Sequence, residues 1–415
     1  MGQFSDRAPP WLLRNMLESR EANTIAIVGG GPAGAHAAAS LAQADRSVLL
    51  FDEKLAWEKP CGGGITHKAL VAWPFLRQAN VDRKWVSECE LIAPSGRRVG
   101  FPLEQPIAIF SRCELNSFLL DRAARSGAEI IRDRIVGLER AANHWQIRSL
   151  GSSWKAAYVV IAAGVRNPFR QQLSQPFAAQ DLMSTAGYYI PGPSDIMRIQ
   201  FLAGLHGYIW VFPRKDHVSA GICGRMQAKS GAELRRILEQ SLAALGLAYK
   251  NAQFYSHLLP ALRAETLHRA PVSGDGWAMI GDAAGLVDPL TGEGLYYAMA
   301  SAELLSRALV SNQADRYPDL LRQQVLPELE LAAAMSDRFY AGRWMGEYVL
   351  ERTVQFTAGS ASFRRLMSDL FAGTQAYRNL RHRLYCTLPA MLVESLVSRF
   401  GGRAGSATSE PISAR

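Results

Sequence analysis

The sequence predicts an α/β fold, α+β over the chain as a whole. A parallel-stranded domain is interrupted by an inserted antiparallel sheet and followed by a helical C-terminal region. Three observations predict this. A glycine-rich turn between two apolar runs opens the ordered part of the chain at residues 24–52. A second glycine-rich segment follows a short apolar strand far downstream, at residues 277–294. Between the two lie short runs of alternating polarity, and beyond them the apolar residues recur with helical spacing.

The first turn is legible residue by residue. Thr24-Ile25-Ala26-Ile27-Val28 is an apolar run suited to a buried parallel strand. Gly29-Gly30-Gly31-Pro32-Ala33-Gly34 follows, then the alanine-rich helical stretch Ala35 to Ala44. A second apolar run, Ser47 to Phe51, ends at Asp52. Gly29, Gly31 and Gly34 hold the GxGxxG positions, with Ala33 between the last two. Gly29 permits a tight turn, Gly31 lets backbone approach a pyrophosphate, and Gly34 allows helix to pack closely on strand. The helix N-terminus offers unpaired N–H groups and partial positive charge. Asp52 lies 18 residues after Gly34, where a carboxylate grips an adenosine ribose, with Glu53 as the alternative if the register slips by one. The motif alone does not separate FAD from NAD.

The second turn begins with the strand Trp277-Ala278-Met279-Ile280. It continues through Gly281-Asp282-Ala283-Ala284-Gly285 to Pro289-Leu290-Thr291-Gly292-Glu293-Gly294-Leu295. An acid just past a strand, flanked by small residues, can accept hydrogen bonds from a polyol chain. Gly292, Gly294 and Leu295 stand where a long helical run begins, so N–H groups there can face the pyrimidine edge of a flavin. The competing reading is a glycine-rich turn capped by Asp282, with Asp288 and Glu293 as helix caps. A cofactor held by two such distant segments is FAD rather than NAD. The parallel-stranded domain is therefore expected to be a Rossmann-like FAD-binding domain.

Two more segments attract attention. Cys61 precedes Gly62, Gly63 and Gly64, a loop without side-chain bulk that can lie against a flat ring; its thiol can donate a proton or bond a flavin edge, or be a buried structural cysteine. Tyr208, Trp210 and Phe212 alternate and so share one face of a strand, as core or as a ligand wall.

Taken together, GxGPAG followed by GDAAG…PLTGEG resembles the FAD-dependent flavoprotein superfamily that includes para-hydroxybenzoate hydroxylase. Lys59-Pro60-Cys61-Gly62-Gly63-Gly64-Ile65 and Gly207-Tyr208-Ile209-Trp210-Val211-Phe212-Pro213-Arg214 resemble, within it, the geranylgeranyl reductase family, whose signature is YxWxFP. The resemblance runs from about residue 24 to 400 and is loosest over 315–400. It implies FAD as cofactor and a cysteine, here Cys61, near the isoalloxazine. It also implies that Tyr208, Trp210 and Phe212 wall a tunnel for an isoprenoid chain, with Tyr208 and Trp210 near the reacting double bond. Arg112, opening the helical segment Arg112 to Ala124, matches an arginine that contacts the cofactor; an ordinary surface charge is the alternative. One departure stands out. The superfamily carries Asp-Gly after the strand that here reads Tyr158 to Ala162, whereas this chain has Ala163-Gly164. That weakens the expectation of direct NADPH use and leaves NADPH or a reduced ferredoxin-type carrier as donor.

The resemblance implies a reductase that saturates C=C bonds of a geranylgeranyl-type chain by hydride transfer and proton donation. The alternative is a FAD-dependent monooxygenase, a hydroxylase before a halogenase, because halogenases carry WxWxIP where this chain has Tyr208 and Phe212. A non-catalytic flavin or lipid carrier is a third class. The expected division is a discontinuous FAD-binding domain at 24–80, 111–175 and 265–311 and a substrate domain at 81–110 and 176–264. A helical region at 315–403 follows, with flexible ends at 1–22 and 404–415.

Composition narrows the remainder. The 415 residues suffice for two or three domains. Hydrophobic residues make up 48%, too many for a disordered chain. Five scattered Cys and eight scattered His show no disulfide framework and no metal box, so no metal is expected and a reducing compartment, the cytoplasm, is. Residues 1–22 hold no leader-like apolar run, and no apolar stretch reaches the length of about 18 residues a transmembrane helix needs. The net charge of +9 leaves nucleic acid, an anionic membrane and an anionic small molecule as partners. Between Asp337 and Arg403 stand ten Arg and five acids, interleaved with Phe339, Tyr340, Trp344, Tyr348 and Phe363. That pattern suits a peripheral contact with the inner face of a membrane, or a helical cap with solvated arginines. Nucleic acid is not expected, since no known module is present. An isoprenoid or other apolar small molecule is the expected partner. Oligomeric state is not legible.

Overall fold

The computed structural model describes residues 23–401 apart from Gln227 and Met345. The expected flexible ends lie outside these residues. Two large sheets that share no strand organise the fold.

The first sheet has six strands: β1 (Ile25–Val28), β2 (Val48–Phe51), β6 (Glu129–Ile131), β10 (Tyr158–Ile161), β16 (Ser273–Gly274) and β17 (Trp277–Met279). Their order is β16-β17-β10-β1-β2-β6, parallel except for the edge pair β16–β17. β1 and β10 are buried along their whole length, as strands covered on both faces require. β17 comes from the far side of the inserted segment, so the sheet is completed only after the chain has left and returned. Helix α1 (Pro32–Gln43) packs against α4 (Arg112–Arg125) and α7 (Leu295–Val310), and the short helices α2 (His67–Ala72), α3 (Pro74–Gln78) and α5 (Phe169–Leu173) come between them in the chain.

The turn into α1 is sterically closed. Gly29 has φ +112°, and a Cβ there would sit 2.5 Å from the Ala162 carbonyl carbon. A Cβ on Gly34 would lie 1.9 Å from the Gly29 carbonyl oxygen. At Gly31 a Cβ would meet nothing within 4 Å, so the backbone there faces open space.

The second sheet has eight strands: β3 (Gly64–Ile65), β4 (Arg83–Ile92), β5 (Arg98–Phe110), β11 (Leu182–Pro191), β12 (Met197–Gln200), β13 (Gly207–Pro213), β14 (His217–Arg225) and β15 (Gln253–Pro260). The order is β15-β11-β14-β13-β12-β4-β5-β3. It is antiparallel except where β12 joins β4, the one parallel pair, at the point where strands from before and after the 111–175 segment meet. One face carries α6 (Gly231–Ala244), which starts with a Ser230/Glu233 capping box and buries Leu234, Leu238 and Leu242. A third, three-stranded sheet, β7 (Gly137–Arg140), β8 (Trp145–Arg148) and β9 (Ser153–Ala156), was not legible: its strands are four residues each and largely polar.

The C-terminal region is helical, as expected, with one two-stranded ribbon, β18 (Arg343–Trp344) and β19 (Glu347–Tyr348). Its helices are α8 (Tyr317–Gln324), α9 (Leu326–Ala341), α10 (Val349–Gly359), α11 (Ala361–Ala372) and α12 (Tyr377–Gly401). α10 and α11 pack on β5, and Leu350, Val354 and Leu366 join Val86, Leu91 and Phe101 in one apolar cluster. The helices therefore roof the eight-stranded sheet. Several arginines are structural: Arg383 pairs with Asp369 at 2.6 Å, and Arg364 donates to the carbonyls of Thr357 and Ala358.

Gly34→Ala is expected to destabilise the protein by at least about 1–3 kcal/mol, because backbone must shift to admit the methyl group. Denaturant unfolding checks this; stability equal to the parent would show that the strand–helix contact is looser than described.

Candidate cofactor and substrate site

The nucleotide end is built by β1, β2 and α1. Asp52 follows β2 and its Oδ2 accepts from Gly30 N at 2.7 Å, while Oδ1 accepts from Lys54 N and Leu55 N. Asp52 thereby stands beside the glycine turn. Glu53 is exposed and lies 3.7 Å from Arg134. Gly31 caps α1 without a side-chain hydrogen bond, and the first turn of α1 carries no acid, so its N-terminal N–H groups remain available.

The central part converges on Asp282. Lys59 Nζ donates to Asp282 Oδ2 at 3.1 Å. Burial pushes the Asp282 carboxyl up, but the Lys59 ammonium, with His257 and Arg112 behind it, holds it below its ordinary value. Burial, then Lys59, lowers the His257 imidazole to about 4. Arg112 is buried at the start of α4, and its Nε has no protein partner; neither has His257 Nε2. Ala163 is exposed beside Gly164, whose φ is +74° and whose nearest neighbour across the gap is Lys59 Nζ. Asp282, Lys59, His257, Arg112 and Gly164 therefore form one neighbourhood.

The glycine loop after Cys61 is clamped from the second sheet. Phe212 lies against Gly62, where a Cβ would come within 2.6 Å of the ring. Gly63 has φ +80°, and its carbonyl accepts from Phe110 N at 2.9 Å. Cys61 Sγ accepts from Gly63 N at 3.3 Å. β3 then pairs with β5, which stitches the loop to the sheet edge.

Opposite lies the loop 288–294. The Asp288 carboxylate accepts from Leu290 N, Thr291 N and, at 2.8 Å, the Tyr377 hydroxyl. Gly294 caps α7 with no side-chain bond, so neither Asp288 nor Glu293 is a cap of that helix. Glu293 Oε1 instead accepts from Thr66 Oγ1 at 2.8 Å. Tyr208 donates its hydroxyl to the Thr291 carbonyl and stands next to Gly292. Trp210, Phe212 and Tyr208 line the same side of the strand, while Ile209 and Val211 enter the cluster under α6.

The glycine loop, the 288–294 loop and the aromatic stripe line one cavity of about 1340 Å³. That exceeds the roughly 300–1,000 Å³ of a drug-sized site. Cys61, Gly62, Gly63, Gly292, Gly294 and Leu295 form its cofactor-side wall. The aromatic stripe and apolar residues of α9–α12, among them Phe339, Phe363 and Leu384, form the rest.

The residues fit FAD. Two open helix N-termini, a glycine that faces empty space, and buried donors without a partner at Arg112 and His257 are what a phosphate- and carbonyl-bearing cofactor would satisfy. Among the described residues no cluster suited to a metal ion is present. Lys59, His257, Glu58 and Arg214 are not among the site residues the sequence singles out. The first and third adjoin Cys61 and the last follows Pro213, so proximity to a motif was the only available signal.

Residues 27–57 match the family described as NAD(P)-binding Rossmann-like domain. The chain is 27% identical over 380 residues to geranylgeranyl diphosphate reductase of Synechocystis sp., covering 83% of this chain and 89% of that one. It is 26% identical over 324 residues to digeranylgeranylglycerophospholipid reductase of Methanocaldococcus jannaschii, covering 72% and 80%. The structure of a geranylgeranyl bacteriochlorophyll reductase-like protein from Thermoplasma acidophilum superposes with a TM-score of 0.72 at 20% identity, over 88% of this chain and 99% of that one. A flavin-dependent brominase superposes at 0.66 with 14% identity, a likeness of fold alone. Fold and site define a FAD-dependent oxidoreductase. Within that class the chain is similar to geranylgeranyl reductases.

Burial raises the Glu293 carboxyl from 4.5 to about 7, against the pull of Thr66 and Lys68. The native state therefore holds this proton more tightly than the unfolded chain. The stabilisation is full below about 4.5 and is lost as pH rises toward 7. Glu293→Gln is expected to gain in thermal midpoint over the parent progressively from pH 5 to 8. A difference that stays constant across that range would refute the assignment.

Proposed function

We propose that this protein reduces C=C bonds of an isoprenoid chain lying in the cavity, with Cys61 as the proton donor. The observation that carries the reading is the loop Cys61–Gly64 opening into an apolar cavity walled by Tyr208, Trp210 and Phe212. Asp52, Arg112, Lys59, Asp282 and the N-terminus of α7 would hold FAD, which would supply hydride chemistry, and Gly62 and Gly63 would leave room for it free of side chains.

An isolated alkene is a poor hydride acceptor, so a proton must be at hand and water kept out. The apolar walls and the helical roof exclude water. The Cys61 thiol has its sulfur held by Gly63 N–H, which leaves its proton for the cavity. The Tyr208 hydroxyl is committed to the Thr291 carbonyl, so Tyr208 braces the 288–294 loop and walls the site. The parallel sheet serves as the cofactor domain, and the eight-stranded sheet with α9–α12 as the substrate domain. Electrons come from NADPH or a reduced ferredoxin-type carrier.

The test is anaerobic. Protein with bound FAD is reduced, isoprenoids with diphosphate, phospholipid or quinone heads are added, and product mass is followed. A gain of two hydrogens with flavin reoxidation is expected. Cys61→Ser should retain FAD and lose at least about a hundredfold in rate. Reoxidation only by O₂, with an oxygenated product, would establish the monooxygenase instead.

We also place the protein at the inner face of a membrane, where such chains reside. No helix of the described residues is long and apolar enough to cross one. α12 lines the cavity, carries Arg378 and Arg381 in its first turns, and exposes Tyr385, Leu392, Val393 and Val397 further along. Sedimentation with anionic vesicles should fall when Leu392 and Val393 are both replaced by Ser; unchanged sedimentation removes this part of the proposal.

A further inference from the structure

We infer that Arg214 is a positioning residue for Cys61, acting through the carbonyl of the peptide that joins Cys61 to Gly62. The inference rests on the reading of Cys61 as proton donor, but the orientation it concerns is measurable on the thiol itself.

Arg214 ends the aromatic strand, just past Pro213, and is only 2% exposed. Its Nη1 donates to Glu58 Oε1 at 2.7 Å, and its Nη2 donates to the Cys61 carbonyl at 3.0 Å. The same carbonyl accepts from Ser219 Oγ on β14, also at 3.0 Å, and Ser219 meets the Tyr255 hydroxyl on β15. One carbonyl of the cofactor-side loop thus receives two donors from the second sheet.

The other end of the guanidinium is equally anchored. Glu58 accepts from Ser111 Oγ at 2.6 Å, Arg112 N at 3.0 Å and Cys113 N at 3.2 Å. Burial pushes its carboxyl up, but Arg214 and the three donors at the α4 N-terminus hold it below its ordinary value. The anchor therefore runs from α4 through Glu58 and Arg214 to Cys61.

A planar fork is what this geometry requires. Two acceptors are held by two nitrogens of one guanidinium, whereas an ammonium is a single point of donation that cannot span both. The loop has no slack to compensate. A Cβ on Gly63 would stand 2.3 Å from the Phe110 carbonyl and 3.1 Å from Arg214 Nη2. The carbonyl is turned toward the second sheet, and Gly63 N–H is left facing Cys61 Sγ. If the carbonyl is released, the peptide plane can rotate and the thiol loses its fixed direction into the cavity.

The test measures site-resolved iodoacetamide alkylation of Cys61 in the FAD-bound protein, with exposed Cys386 as internal reference. Arg214→Lys keeps the charge opposite Glu58 and gives up the Cys61 carbonyl. Alkylation of Cys61 is expected to rise about tenfold, the scale of one charge-assisted hydrogen bond, with Cys386 unchanged. In turnover, kcat should fall about tenfold with KM within about twofold, since the apolar wall is untouched. Ser219→Ala, which removes the second donor without altering charge, should move both readouts in the same direction by less, and keeps the inference testable if Arg214→Lys does not fold. Parent-like alkylation in both variants would overturn the inference, as would lost turnover with parent-like alkylation. If instead Cys61→Ser turns over like the parent while Arg214→Lys still accelerates alkylation, the positioning stands and the proton-donor reading fails.

Discussion

Residues 58–64 are the constraint on which the site depends. They tie together two sheets that share no strand. On one side Lys59 reaches Asp282, past the end of the parallel sheet. On the other side the Cys61 carbonyl is held by Arg214 and Ser219 of the second sheet. A flat cofactor between the sheets needs one loop fixed to both, and that loop needs glycine where Phe212 and Phe110 press on it. The aromatic stripe and the Cys61 loop are thus two halves of one contact. Each is the reason the other has its residues.

The site mixes polar and apolar burial in a consistent way. Charged groups cluster in pairs beside the glycine loop: Asp282 is matched by Lys59, and Glu58 by Arg214. Glu58 has further hydrogen bonds, from Ser111 Oγ, Arg112 N and Cys113 N, that satisfy its carboxylate, which buried charge demands. Toward the C-terminal helices the lining becomes aromatic and aliphatic. Asp288 and Glu293 mark the boundary. Burial raises both carboxyls, and both are held by neighbours, Tyr377 and Thr66, that belong to other elements.

Much of the fold could be read locally. The run Ile25–Val28 and the turn that follows announce strand, turn and helix because each residue type answers a local steric demand. The alternation Tyr208–Trp210–Phe212 announced a strand with one special face. The three-stranded sheet at 137–156 was silent because short, half-exposed strands have little apolar periodicity. Asp288 looked like a helix cap from its position before α7. It serves the Leu290–Thr291 turn and Tyr377 instead, a partner 89 residues away that no local pattern could supply.

By itself the sequence determined the two glycine-rich turns, their glycines, the acid after β2, and the thiol beside three glycines. These depend on neighbours within a few residues, where backbone geometry dictates residue type. Only the tertiary structure decided which charges meet. Lys59 finds Asp282 across 223 residues, and Arg214 finds Cys61 across 153. It also decided that the basic helical end closes a cavity over the aromatic strand and spends some of its arginines on its own packing. Side-chain pairing across two sheets is set by how the sheets dock, and docking is a property of the whole core.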